Sequence, residues 1–244
     1  GNGVTVSDYS TSILYLDGSA RAENCTITGN TSGNGTGGCY NAVMVNTICQ
    51  GNTGSGQVGG TIVATNCLFA NNWVSGGTLF TKSADYKIDL VNCTIVDNDF
   101  NEFKTSHACG KMQIENTFFY GNTLSKGKLK YDINANVTNC VESFSHCIFS
   151  TPNDDYAPGT DNLNYYGNPS FRPGFVGPEV SPTDPYALKR TSPAVKKKGA
   201  VADWMYSATD IRGAGFPRLG VDGNVNIGCY QCWLEPKGLL LLLR

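Results

Sequence analysis

The sequence predicts an all-β solenoid, a single-stranded right-handed parallel β-helix with irregular Pro/Gly-rich C-terminal rungs. Three observations carry this expectation. A short phrase recurs at intervals of 20 to 30 residues. Apolar residues alternate with polar or variable ones on both sides of an Asn in that phrase. No window sustains the i, i+3, i+4, i+7 spacing of an amphipathic helix.

The phrase begins as Asn24-Cys-Thr-Ile-Thr-Gly-Asn30 and returns as Asn46-Thr-Ile-Cys-Gln-Gly-Asn52 and Asn66-Cys-Leu-Phe-Ala-Asn-Asn72. It continues as Asn92-Cys-Thr-Ile-Val-Asp-Asn98 and Asn116-Thr-Phe-Phe-Tyr-Gly-Asn122, then fades into His146-Cys-Ile-Phe-Ser150. Successive leading positions lie 22, 20, 26, 24 and 30 residues apart. A period in this range marks a solenoid, in which each repeat buries its apolar face against its neighbours. A leucine-rich repeat would need a leucine spacing that is absent. Parallel strands in a right-handed coil, with rungs about 4.8 Å apart, remain.

After the leading Asn, the inward columns read Cys25, Thr47, Cys67, Cys93, Thr117, Cys147 and Ile27, Cys49, Phe69, Ile95, Phe119, Phe149. Before it they read Ala22, Met44, Ala64, Leu90, Ile114, Phe144 and Ala20, Ala42, Ile62, Ile88, Met112. Each rung therefore has two strands meeting at a bend. Alternation places Leu68 and Ile48 on the outward side, since a slip of one residue would reverse every face. The expected core comprises Ala22, Met44, Ala64, Leu90, Ile114, Cys25, Ile27, Cys67, Phe69, Cys93, Ile95 and Phe119. Rung six is expected to slip or bulge over 141–145, because Glu142 occupies an inward column and His146 replaces the bend Asn.

Asn suits a bend because it tolerates left-handed backbone, and its amide can bond neighbouring groups or stack in register along the coil axis. Sequons occur at Asn24, Asn30, Asn34, Asn92 and Asn136, but a ladder or turn role is the expectation at Asn24 and Asn92. Gly37-Gly38, Gly59-Gly60 and Gly76-Gly77 mark another corner.

The natural division is 1–150 for the repeats and 151–244 for an irregular C-terminal extension or cap packed on the same solenoid. Seven prolines between 152 and 185 forbid long regular elements there. Short strands are expected at 186–188, 194–195, 225–231 and 238–243, adding irregular rungs and covering one open end.

The 244 residues carry a net charge of −2, which argues against nucleic acid as the main partner. The run Leu-Leu-Leu-Leu-Leu at 239–243 is far shorter than the roughly 20 residues of a membrane-spanning helix, so no membrane span is expected. Of the ten cysteines, Cys25, Cys67, Cys93 and Cys147 share one small inward column with Thr47 and Thr117, which points to mostly free buried thiols rather than a disulfide framework. Cys229-Tyr-Gln-Cys232 has redox spacing without a helix start to lower a thiol pKa. Neither a zinc set nor any other cofactor site emerges. The chain opens in strand-like sequence at Gly1, as a processed chain or a fragment of a longer one would.

Two resemblances follow from these motifs. Residues of about 13–150 resemble the passenger repeats of bacterial polymorphic outer-membrane proteins and autotransporters, with Gly-Gly-Ala-Ile and Phe-x-x-Asn motifs. Phe69-Ala-Asn-Asn72 and Phe119-Tyr-Gly-Asn122 match the second motif, and the Gly-Gly pairs partly match the first. Cys39, Thr61 and Thr78 stand in place of the Ala. Residues of about 166–231 resemble the C-terminal region of bacterial choice-of-anchor Q β-helix proteins. The matches are Gly167-Asn-Pro-Ser-Phe171, Ser192-Pro-Ala-Val195, Asp210-Ile-Arg-Gly213 with Arg218, and Asn226-Ile-Gly-Cys-Tyr-Gln231; Cys229, Gln231 and Lys196-Lys197-Lys198 depart from the pattern. The resemblance implies a secreted or surface-displayed bacterial protein and no particular reaction.

The residues bear on three functions. A polysaccharide lyase or hydrolase would need paired or clustered carboxylates. The best cluster is Asp85, Asp89, Asp97 and Asp99 with Lys104 and His107, beside Asp154-Asp155 elsewhere, and the bland reading is that these acids cap turns. An adhesin or glycan-binding module would use outward aromatics such as Phe118 and Tyr120. The expectation favoured is a non-catalytic extracellular or cell-surface scaffold that assembles head to tail with itself through strand edges and the leucine run.

Overall fold

In the computed structural model the described residues are 14–15, 21–31, 36–40, 42–54, 56–59, 62–74, 87–100, 112–124, 132, 142–154 and 159–232. They form a parallel β-helix. Its leading sheet has seven parallel strands: Arg21–Glu23, Val43–Val45, Ile62–Thr65, Ile88–Val91, Met112–Glu115, Glu142–Ser145 and Gly159–Thr160. The trailing sheet, after the bend, also has seven: Thr26–Thr28, Ile48–Gln50, Leu68–Ala70, Thr94–Val96, Phe118–Tyr120, Ile148–Phe149 and Leu163–Asn164. A third, four-stranded sheet stacks Thr53–Gly54, Trp73–Val74, Asp99–Phe100 and Thr123–Leu124. The strands Leu14–Tyr15, Thr36–Tyr40 and Gly56–Gly59 make a separate sheet.

The inward columns fall where alternation places them. Ala22, Met44, Ala64, Leu90, Ile114, Ile27, Cys67, Phe69, Cys93, Ile95 and Phe119 share one buried cluster. Cys25 is the exception and is only half-buried, because its rung is the first of the stack and is flanked on one side only among the described trailing strands. Each large side chain fully withdrawn from water here contributes about 1.5–3 kcal/mol.

Every bend is left-handed. Asn24, Asn46, Asn66, Asn92 and Asn116 have φ between 48° and 60°. His146 takes the same conformation at 51°, since His is among the residues that enter this region with Asn and Asp. The expected slip in rung six is therefore absent over 142–145. Met112, Gln113, Ile114 and Glu115 pair in register with Glu142, Ser143, Phe144 and Ser145. Val141 and the Glu142 side chain lie outside the described residues.

The column after the bend needs more than small size. Thr47 and Thr117 hydroxyls donate to the carbonyls of Val45 and Glu115, both at 3.0 Å. The thiols of Cys25, Cys67, Cys93 and Cys147 reach the equivalent carbonyls of Glu23, Thr65, Val91 and Ser145 at 3.2–3.5 Å. A small donor closes each bend from inside, which is why the column holds only Thr and Cys.

The coil continues past 150. Gly159–Thr160 and Leu163–Asn164 form a seventh rung around a bend at Asp161, φ 58°. The chain then turns back along the side of the coil. Tyr186, Ala187, Leu188, Ala194, Ile227, Cys229, Tyr230 and Cys232 pack onto Leu68, Ala70, Val96, Phe118 and Ile148, making a second apolar core. Leu68 thus faces away from the coil axis as expected, yet it is only 2% exposed, and Ile48 is half-buried. The described part of the C-terminal segment covers a side of the coil, because the outward face of the trailing sheet is itself apolar. Gly228 allows the close approach: a Cβ there would stand 2.6 Å from Thr94 Oγ1, and its φ is +99°.

Within this cover, Leu188 makes a single antiparallel bridge to Phe175 and Val225 one to Gly199. Ala194 and Val195 do not form a strand. They belong to a short helix, Pro193–Lys197, whose N-cap Ser192 accepts from the Ala194 N–H, with Pro at the first turn. The run at 238–243 lies outside the described residues.

Candidate functional site

The second Asn of each phrase builds a continuous polar column among the described residues. Asn30, Asn52, Asn72, Asn98 and Asn122 are buried one above another. Each donates its backbone N–H and an Nδ2 hydrogen to the Oδ1 of the next, at 2.9–3.1 Å, as far as Asn122. From Asn52 onward, Nδ2 also donates to a carbonyl of the rung below, those of Ile27, Cys49, Phe69 and Ile95. The amide-to-amide bonds of the column have a direction: each Oδ1 accepts from the Asn below, and each Asn donates to the Oδ1 above.

Its last member must only accept, and a carboxylate stands there. Asp132 Oδ1 receives Nδ2 and N of Asn122 at 2.8 and 3.3 Å. Its Oδ2 receives Ser150 N at 2.8 Å and the Tyr165 hydroxyl at 2.6 Å. Burial pushes the Asp132 carboxyl up to about 6, against these hydrogen bonds, which pull it down. The same burial, with the Asp132 charge alongside, raises Tyr165 far above the ordinary phenol range, so its hydroxyl stays a donor. Sequence reasoning missed Asp132, because it belongs to the insertion in the longest, 30-residue step rather than to the phrase. A pocket of about 390 Å³ between Tyr120, Thr123, Asp132, Ser150 and Tyr165 adjoins it. Both carboxylate oxygens are already committed, so the group terminates the ladder and is not poised to take a proton from a ligand.

The predicted acid cluster is dispersed around rung four. Asp89 lies outward on the leading sheet, paired with Lys87. With Gln113, Glu115, Ser143 and Ser145 it lines an open groove of about 250 Å³. Asp97 occupies a second left-handed bend, in the column held elsewhere by Gly29, Gly51, Asn71 and Gly121. Its carboxylate accepts from the Tyr186 hydroxyl at 3.1 Å, and Asn71 Nδ2 donates to that same hydroxyl at 2.7 Å. Partial desolvation beside the cover raises Asp97, against the Tyr186 hydrogen bond, which pulls it down. Asp99 sits on the third sheet beside Trp73. Asp97 is thus a latch for the cover, on the far side of the trailing strand from Asp89. Asp154 accepts from Asn164 Nδ2 at 2.7 Å. Asp85, Lys104, His107 and Asp155 lie outside the described residues. Among the described residues no group of three His, Cys, Asp or Glu side chains is placed to hold a metal ion.

The outward aromatics also differ from expectation. Phe118 is fully buried beneath the cover, its ring centroid 5.3 Å from that of Phe175. Tyr120 is half-buried among Tyr165, Phe171 and Phe175. Neither offers a free face to a sugar ring. Seven described cysteines are free thiols, and Cys25 alone of them is not buried. Burial pushes Cys147 up to about 12 and raises Cys67, Cys229 and Cys232 as well, leaving them poor nucleophiles.

The bend column is the seam on which the cover rests. Asn66 Nδ2 donates to the Thr209 carbonyl at 2.7 Å. Asn116 exchanges two bonds with Ala200, Nδ2 to O at 2.8 Å and N to Oδ1 at 2.7 Å. Asn92, in a sequon, is fully buried between them, as a turn residue rather than a glycan acceptor. Arg218 is also fully buried, donating to the carbonyls of Asn226 and Gly228. Beyond the cover's edge, Asn24, Cys25, Thr26, Asn46 and Ile48 face Thr209, Ile211 and Arg212 across an open groove of about 530 Å³. Comparison with protein-family models, curated proteins and solved structures produced no match.

Proposed function

We propose that the chain is a non-catalytic extracellular scaffold, a β-helical rod of a cell-surface or filamentous structure that associates head to tail with copies of itself. The observation that supports this reading is how the polar groups are employed. Asp97 latches the cover, Asp132 ends the amide ladder, and Asp210 is held by Arg212 and the Gln231 N–H. These acids hold the fold together and do not converge on a common cleft. The resemblance to autotransporter passengers and choice-of-anchor Q proteins favours surface display. Incubation with pectin, alginate and other acidic glycans, with or without calcium, is expected to release no oligosaccharide, and sedimentation is expected to show concentration-dependent assembly. Release of oligosaccharide that vanishes in Asp89→Asn or Glu115→Gln would replace the proposal with a lyase or hydrolase.

A glycan-binding adhesin is the second reading, favoured by Trp204 and Tyr206, which are 39% and 74% exposed on one turn of the cover. Retention on a glycan array that is lost in Trp204→Ala, without assembly in solution, would prefer it to the filament.

A further inference from the structure

Among the described residues, the groove at the Asn24 end of the bend column presents donors without acceptors. Asn24 Nδ2 has no partner among the described residues, and Asn46 Nδ2 spends one hydrogen on Asn24 Oδ1 at 3.2 Å and keeps the other. Arg212 lies across the groove, with Nε and Nη2 bound to Asp210 and Gln231, and Nη1 without a partner among the described residues. Its guanidinium is fixed further by stacking 4.0 Å over the Phe216 ring. Half-buried Ile48 and Ile211 give the groove an apolar floor. Such a surface accepts a ligand rich in carbonyl or carboxylate oxygen.

The occupied part of the same column shows what kind of ligand fits. Two and four rungs from Asn24, the equivalent amides of Asn66 and Asn116 receive polypeptide backbone, at Thr209 and Ala200. The geometry that reads main-chain groups is therefore repeated by the stacking, and among the described residues the cover faces Asn46 and Asn24 across the groove without bonding their amides. We infer that this groove binds an extended peptide segment of another polypeptide, its backbone carbonyls received by Asn24 and Asn46 and an acidic side chain by Arg212. The site is continuous with the intramolecular seam and extends it to a partner.

The test uses the full chain and a positional-scanning library of N-acetylated, C-amidated heptapeptides, with binding of selected members followed by fluorescence anisotropy. Peptides with Asp or Glu at one preferred position are expected to bind. The double variant Asn24→Gly/Asn46→Gly keeps both left-handed bends, because Gly adopts positive φ freely, and is expected to weaken binding by about tenfold or more. Asn71→Gly, at an equally left-handed bend away from the groove, is the control and should bind as the parent does. No selected peptide, or peptides indifferent to the double variant, would overturn the inference. So would binding of an oligogalacturonate probe that the double variant alone abolishes, since the groove would then be a glycan site. None of these outcomes depends on whether the chain assembles with itself.

Discussion

Replacing Asn72 by Asp tests the amide ladder without changing the volume of the side chain. In the native column, Asn72 Oδ1 accepts Asn52 N and Nδ2 at 3.0 and 3.1 Å, while its Nδ2 donates to Cys49 O and Asn98 Oδ1 at 3.0 and 2.9 Å. A carboxylate would keep the two accepted bonds. It would turn the other oxygen toward two acceptor oxygens, in a position only 2% exposed. Asn98 Oδ1 keeps only the Asn72 N–H, Cys49 O loses its side-chain donor, and a charge is buried beside them. Two lost hydrogen bonds at about 0.5–1.5 kcal/mol each, with a carboxylate buried against two acceptor oxygens, put the loss at pH 7 at roughly 3–6 kcal/mol before any neutralisation. That is a large share of the roughly 5–15 kcal/mol available to a folded domain. The variant should lower its cost by holding a proton, which restores one donor, so its stability should recover as pH falls. The control is Asn71→Gly, which keeps the bend and gives up one bond to Tyr186, at about 1 kcal/mol. Urea unfolding followed by circular dichroism at pH 7 and pH 5 reads all of these. An Asn72→Asp variant as stable as Asn71→Gly at pH 7, or one with the pH response of the parent, would refute the directional ladder.

Other substitutions probe the remaining parts. Asp132→Asn should cost about 1–3 kcal/mol at pH 7, because its amide would face the Ser150 N–H with a donor. The folded pKa of Asp132, about 6, lies above the roughly 3.9 of an unfolded aspartate, so the folded state binds the proton more tightly. The parent should therefore gain about 1 kcal/mol of stability from this group between pH 7.5 and pH 5, and a denaturation series in Asp132→Asn should lack that increment. Phe118→Ala should destabilise by about 3–5 kcal/mol, as for a core residue; an effect near zero would restore the exposed-aromatic reading. Gly228→Ala should loosen the cover, since its Cβ would meet Thr94 Oγ1 at 2.6 Å, and increased binding of a hydrophobic dye with unchanged far-ultraviolet dichroism would show it.

The coil itself was legible in the sequence because inward positions repeat with a period of two around a residue suited to left-handed backbone. That logic placed Met44, Leu90, Ile95 and Phe119 without ambiguity. It did not reveal the second core, because alternation tells which way a side chain points and not whether something lies over it. The signal was nevertheless present: Cys67-Leu68-Phe69-Ala70 and Thr117-Phe118-Phe119-Tyr120 are apolar on both faces, as strands covered on both sides are. The two Asn columns look alike in sequence, yet one supplies the left-handed bends and the other the buried chain of amides. Asp132 lay hidden in an insertion, and the seventh rung escaped because its bend, at Asp161, follows His146 after a step of only 15 residues. In the candidate site, the acids near Asn98 were visible as a cluster only along the chain. The coil distributes them over different faces.

Side-chain amide exchange, resolved residue by residue in a nitrogen-15 spectrum, tests the central claim that buried, directional Asn stacking organises this coil. After transfer to deuterated buffer, the Nδ2 resonances of Asn52, Asn72, Asn98 and Asn122 are predicted to persist long after those of Asn24 and Asn71 have vanished. Loss of all six at one rate would contradict the account.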